Sequence, residues 1–229
     1  MQIVGHKTNN GREVSWRKAL TFTNSIRSTY SAMKVAVLLF DDFETLDVFG
    51  PVEIFGILKE QYEVSFFSQT GGMVKNGHGV SVLSGKLTDM RNGVDIFLIP
   101  GGWGTRPEVN NVILIDLIRE ISLASKYVLT VCTGTALLAK TGLLNGKKAT
   151  SNKRAFDWVM TQGPDVDWIR KARWVVDGRF YTSSGVSAGM DMVLGFLEDM
   201  HGRAFALDAA NKIEYNWNQN KEEDNFYTV

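Results

Sequence analysis

The 229-residue sequence is short of the residues on which several functional classes depend. Its single cysteine, Cys132, cannot close an intrachain disulfide or build a Cys-rich zinc site, which points to a reducing, cytoplasmic setting. Three histidines, His6, His78 and His201, stand far apart, and none has metal-ligand spacing to another ligand, so no metal is expected. No apolar run approaches the roughly 18–20 residues that cross a bilayer, so no membrane partner is expected. No glycine-rich phosphate loop of Walker or Rossmann type, internal repeat or low-complexity segment is present. Acidic and basic residues number 25 each, and zero net charge gives no overall reason to bind nucleic acid.

What is present suits a folded domain. Apolar residues make up 44% and charged residues 22%, enough to bury a core, and the length fits one large domain. Charge is distributed unevenly. Residues 1–32 carry Lys7, Arg12, Arg17, Lys18 and Arg27 against Glu13 alone, which leaves the remainder mildly acidic. This Arg-rich, Ser/Thr-rich, acid-poor composition is that of an organellar transit peptide; an upstream extension before Met33 is the plainer alternative. The stretch from Asn216 to Val229 is polar and reads as a frayed tail. The domain is therefore expected over residues 33–215.

Within those bounds, strands and helices alternate. Val35–Phe40, Val94–Ile99 and Tyr127–Val131 are continuous apolar runs, as expected of strands buried on both faces. Tyr62–Phe67 and Val80–Leu83 read as further strands. Helical spacing occupies Asp47–Leu58, with Pro51 placed in its first turn, then Val112–Ala124, Thr133–Lys140, Met190–Met200 and Ala204–Tyr215. Asp177-Gly178 between two short apolar runs signals a hairpin. The alternation predicts an α/β sandwich with a mostly parallel sheet covered on both faces.

Ligands in such sheets bind at the carboxyl ends of the strands. Three segments follow buried strands there: Asp41–Asp47 (DDFETLD), Gly101–Arg106 (GGWGTR) and Cys132–Thr135 (CTGT). Cys132 sits where a strand gives way to a helix, followed by small residues that allow a sharp turn. Backbone N–H groups at a helix start lower a thiol pKa and can hold a developing oxyanion. A lone cysteine is equally at home as an inert core residue. Asp41, Asp42 and Glu44 suit helix capping, whereas Asp47, nearest the apolar helix face, is the better acid–base candidate. The glycines around Trp103 could present N–H groups opposite the thiol, or form an ordinary loop. Gly185-Val186-Ser187-Ala188-Gly189 matches the nucleophile-elbow pattern G-x-S-x-G. No strand follows to present a histidine, so it reads as a tight turn against the sheet, and His201 as a helix terminus.

Taken together, MKVAVLLFDDFETLDVFGPVEIF, VDIFLIPGGWGTR, VLTVCTGTALLAKTGLLNGKKATSN and DGRFYTSSGVSAGMDMVLGFLEDMHG resemble the ThiJ/PfpI superfamily from about Met33 to Tyr215. The resemblance implies a flavodoxin-like, class I glutamine amidotransferase-like sandwich with a nucleophile-elbow cysteine, usually a homodimer. The segment TLDVFGP, the turn VCTG and the ending IEYNW are most similar to the isonitrile hydratase branch. That branch implies Cys132 as nucleophile, Asp47 as acid and base, and Thr133 as the residue orienting the thiol. It implies Gly102, Trp103 and Gly104 as substrate or oxyanion contacts, and no metal or organic cofactor. The implied reaction converts an isonitrile to an N-substituted formamide through a thioimidate. Many protease-like and deglycase-like members have histidine after the cysteine; here Thr133 takes that place. The hydratase branch typically has His-Trp after the strand ending in Ala-Thr, whereas this chain continues Ser151-Asn152. Two other readings keep the fold: an enzyme acting on α-oxoaldehydes, and a small-molecule or redox sensor such as those in AraC-like regulators. Few residues follow Tyr215 to form a DNA-binding region, which disfavours a regulator.

Overall fold

The computed structural model describes residues 31–90 and 93–228; the basic segment 1–32 lies, but for its last two residues, outside the described residues. Six parallel strands form the centre of an eight-stranded sheet. They are β1 (Met33–Leu38), β2 (Tyr62–Ser68), β4 (Ser81–Lys86), β5 (Ile96–Ile99), β6 (Tyr127–Val131) and β10 (Phe180–Ser183). Antiparallel strands β3 (Gly72–Lys75) and β9 (Trp174–Asp177) close the two edges, giving the order β3-β4-β2-β1-β5-β6-β10-β9. Val35, Val37, Ile96, Leu98, Val128 and Leu129 are essentially inaccessible, as the unbroken apolar runs require of strands covered on both faces.

The helices are α1 (Thr45–Gly56), the single turn α2 (Thr105–Glu108), α3 (Val112–Ala124), α4 (Gly134–Lys140), α5 (Phe156–Gln162), α6 (Ala188–His201) and α7 (Arg203–Lys212). Helix α6 packs on α1 and α7, while α4 packs on α3 and α5. Two helical layers thus flank the sheet: the covered parallel sheet is the one that the alternation predicts, and the α/β/α sandwich is flavodoxin-like, as the resemblance implies. Among the described residues, no helix is long and apolar enough to cross a membrane.

Three expectations are corrected. Helix α1 begins at Thr45, so Pro51 lies in its interior and is buried, not in its first turn. Proline there removes one helical hydrogen bond, to the carbonyl of Asp47. The stretch from Asn216 does not fray. The Arg173 and Trp174 N–H groups donate to the Lys221 carbonyl, and the Trp217 indole N–H to that of Asp191. Arg173, nearly inaccessible, pairs with Asp191 and with the buried Asp224 at 3.6 Å. A polar segment can be anchored by buried ion pairs as well as by apolar contact, and hydropathy registers only the latter. Finally, β3, helix α5 and the two-stranded sheet of β7 (Lys148–Ala149) and β8 (Asp167–Trp168) are additional to the expected elements.

The order β1-β5-β6 brings three adjacent carboxyl ends together. The loop after β1 joins the loop after β5 through the Phe43–Gly102 bridge and through Glu44 N–H donating to the Gly101 carbonyl at 2.8 Å. Gly134 opens α4 hard against β5. A Cβ on it would come within 2.3 Å of the Ile99 carbonyl oxygen, so only glycine lets the cysteine turn approach this closely.

Candidate functional site

Cys132 follows β6 with φ 57°, a left-handed conformation rare for a side-chain-bearing residue. Surrounding hydrogen bonds hold it there. Its N–H is shared between the Ser183 and Ser184 carbonyls at 3.2 Å, and its carbonyl accepts from the Ser151 hydroxyl at 2.7 Å. The strained turn lifts the thiol off the strand into a cleft of about 470 Å³, lined also by Glu44, Trp103, Arg106, Asn152 and Val186.

Asp47 comes from the first turn of α1 and is wholly buried. Its Oδ2 accepts from the Gly101 N–H at 3.0 Å. Its Oδ1 has no hydrogen-bond partner of normal geometry among the described residues. The Cys132 thiol and the Val186 N–H lie close enough to bias the carboxyl's ionisation. Burial drives Asp47 well above the usual carboxylate range; the Gly101 N–H opposes this and the Glu44 charge adds to it. Burial also pushes the Cys132 thiol up, and a negative Asp47 would push it further, against the pull of the Thr133 and Val186 N–H groups. This reverses the expectation of a thiol lowered by a helix start. The seven-residue α4 begins two residues after Cys132, and desolvation outweighs the N–H groups of Thr133, its capping residue, and of Val186. Burial thus biases both members of the pair towards their protonated, uncharged forms.

Thr133 ties the loops together. Its hydroxyl accepts from the Gly102 N–H at 3.0 Å and from the Thr105 hydroxyl at 3.1 Å. Gly101 fills the gap between Asp47 and Thr133: a Cβ there would lie 2.6 Å from Thr133 N and 2.9 Å from Asp47 Oδ2. Of the segment Gly102-Trp103-Gly104, only the first two line the cleft. The Gly104 N–H donates to the Asp42 carbonyl, and its α-carbon is wedged against Asp41, so this glycine shapes the loop. The Gly102 N–H is engaged by Thr133.

The sequence pattern did not disclose Val186 or Arg106. Val186, in the G-x-S-x-G turn, has φ 49°, an outlier for a β-branched residue, and aims its N–H at the Cys132–Asp47 pair. The turn thus serves the cysteine, while Ser187 precedes α6 and interacts with Arg173. Arg106 stacks between Trp103 and Trp158, with its Cζ 4.7 and 4.4 Å from the ring centres. No described histidine lines the cleft. His201 bonds the Tyr62 hydroxyl at 2.7 Å, and His78 the Thr45 hydroxyl at 2.8 Å; His6 lies outside the described residues. Asn152 accepts from the Ala155 N–H and packs over Gly185.

A strained strand-to-helix cysteine thus faces a buried carboxyl at the switch point of a flavodoxin-like sheet, and residues 33–199 match a family model described as the DJ-1/PfpI family. The chain belongs to the DJ-1/PfpI family. An isonitrile hydratase of Pseudomonas putida is 29% identical over 80% of this chain and 79% of its own. The deglycase PfpI of Pyrococcus furiosus is 30% identical over 66% of this chain and 89% of its own. A Pseudomonas aeruginosa transcriptional regulator, CdhR, is 27% identical, and this chain spans 45% of its length. Among solved structures, a ThiJ/PfpI family protein of Pseudomonas syringae superposes with a TM-score of 0.74 at 24% identity, covering 81% of this chain and 76% of that one. DJ-1beta of Drosophila melanogaster superposes with a TM-score of 0.71 at 20% identity, covering 81% and 100%. The DJ-1/PfpI family thus joins enzymes of different specificity to regulators on one fold, so function rests on the site.

Proposed function

We propose that the protein is a cofactor-free, cysteine-dependent hydratase of a small electrophile, similar in chemistry to isonitrile hydratase. The observation that carries this reading is the wholly buried Asp47 carboxyl, one oxygen unpartnered, set beside Cys132 in a cleft with no described histidine. A neutral carboxyl can give a proton to a carbon under attack, which an ionised one cannot.

In this scheme the Cys132 sulfur bonds to the terminal carbon of R–NC. Asp47 delivers its proton to that carbon and recovers the thiol proton, leaving the thioimidate R–N=CH–S–Cys132. Water then adds to the same carbon, with Asp47 taking its proton as the nitrogen gains one. The C–S bond breaks, releasing R–NH–CHO and restoring the thiol. Thr133 fixes the loop geometry, and the Thr133 and Val186 N–H groups face the charge that develops.

The deglycase relatives support a second reading, in which the thiol attacks an α-oxoaldehyde. A panel of alkyl isonitriles and methylglyoxal, with products followed by NMR, separates the two. The hydratase reading expects formamide from the isonitriles and its loss in Cys132→Ala. Consumption of methylglyoxal without any formamide would replace it with the second reading.

A further inference from the structure

The cleft around Cys132 contains two guanidinium groups and no carboxylate that pairs with either. Arg154 is exposed, lines the cleft, and makes no ion pair or hydrogen bond among the described residues. Arg106 is held in place from both sides. Its ends stack on Trp103 and Trp158, and its Nη1 donates to the Gly102 carbonyl and the Thr105 hydroxyl, each at 3.2 Å. Its remaining guanidinium N–H groups have no described acceptor. Arg106 is close enough to Cys132 for the thiolate charge to influence it. Glu44 is the acidic residue in the lining, and it makes no ion pair with either arginine. Two arginines against one carboxylate leave the cleft with an excess of positive charge beside the nucleophile.

An arginine already stacked and partly withdrawn from water loses little side-chain freedom when a ligand arrives. Its planar fork matches a carboxylate, and such charge-assisted pairs are about twice as strong as neutral hydrogen bonds. A cleft of about 470 Å³ suits a small molecule rather than a polymer. We propose that the substrate is a small electrophile carrying one carboxylate, which Arg154 and Arg106 hold while its reactive carbon lies over the Cys132 sulfur. This rests on the reading of Cys132 as the nucleophile.

Two alkylating agents of near-equal size test it on the full chain. Iodoacetate is anionic and iodoacetamide neutral; each forms an S–C bond to Cys132, expels iodide and releases the thiol proton to solvent. The ratio of their rate constants removes any change in the thiol's own reactivity. Arg154→Gln is expected to lower the iodoacetate-to-iodoacetamide ratio by about fivefold or more at low salt. Arg106→Lys, which keeps the charge, is expected to retain part of the preference, and Arg119→Gln, outside the cleft, all of it. Salt at about 0.5 M should shrink the parent's ratio towards that of Arg154→Gln. A ratio unchanged by Arg154→Gln overturns the proposal, and so does a parent thiol that neither reagent modifies.

Turnover of isocyanoacetate against its methyl ester distinguishes the two layers of the argument. If the alkylation ratio falls as expected but neither isonitrile is hydrated, the isonitrile reading fails and carboxylate recognition stands. If both are hydrated and Arg154→Gln leaves the acid-to-ester preference unchanged, carboxylate recognition alone fails.

Discussion

Burial biases Asp47 towards its neutral form, and that costs stability. In the unfolded chain it ionises near pH 4; in the folded chain its pKa is raised, by burial above all. The unfolded state therefore loses its proton first as pH rises, and folding stability falls between the two values. Asp47→Asn removes this penalty. The variant should unfold at the same denaturant concentration as the parent near pH 4 and at a higher one at pH 7.5, by about 1–3 kcal/mol. Urea titrations across that range check the sign, and a constant difference at all pH values would contradict it. The same variant should lose hydratase turnover, and its Cys132 should alkylate with a lower pH midpoint, because asparagine cannot raise the thiol as the Asp47 carboxyl does once it has lost its proton.

Gly101→Ala is a sharper probe of geometry. The new methyl meets backbone as well as side chain, at Thr133 N and at the Asp47 carboxyl, so the two must separate. Turnover should fall by about 100-fold, as a displacement near 1 Å costs in a positioned site, while the fold persists by circular dichroism. Cys132 and Asp47 were legible in the sequence because both sit at the ends of recognisable elements. Val186 was not, because a positive φ at a β-branched residue is imposed by tertiary contacts that no local pattern encodes. Arg106 was hidden because its role depends on Trp158, fifty-two positions away in the chain and on a different helix.

At the scale of elements, the buried strands and the longer helices were readable from period and apolar content. The bounds of α3 and β6 agree with the expected ones. The short pieces were not readable, since β7 and β8 pair over only two residues and α5 spans two turns. The C-terminal segment shows the limit most clearly. Its polar composition reads as solvated, yet Arg173 bridges its Asp224 to Asp191 of α6, and both carboxylates are buried. Lys153, buried nearby with its ammonium on the Thr150 hydroxyl and the Ala172 carbonyl, is held down to about 8, chiefly by desolvation. Arg173→Ala leaves two buried carboxylates without their guanidinium and should destabilise the fold by about 3–5 kcal/mol. Limited proteolysis should then cut between Asn216 and Asp224, where the parent resists. A variant that keeps the parent's denaturation midpoint would show that the anchor contributes nothing.

For the whole molecule, the strand order decides what the site can be. Placing β1, β5 and β6 side by side and parallel brings an acid, a glycine loop and a cysteine to one edge, although they lie far apart in sequence. Zero net charge describes the chain only as a sum, since the cleft itself carries unpaired arginines. The central claim is that Cys132 bonds covalently to the substrate carbon with Asp47 as its acid. Intact-mass spectrometry of the protein quenched in acid during turnover of an alkyl isonitrile tests this most directly. The account predicts a species heavier by the mass of one isonitrile, mapped to the peptide containing Cys132 and absent from Cys132→Ala. Formamide production at the parental rate by Cys132→Ala, with no adduct on the parent, would contradict it.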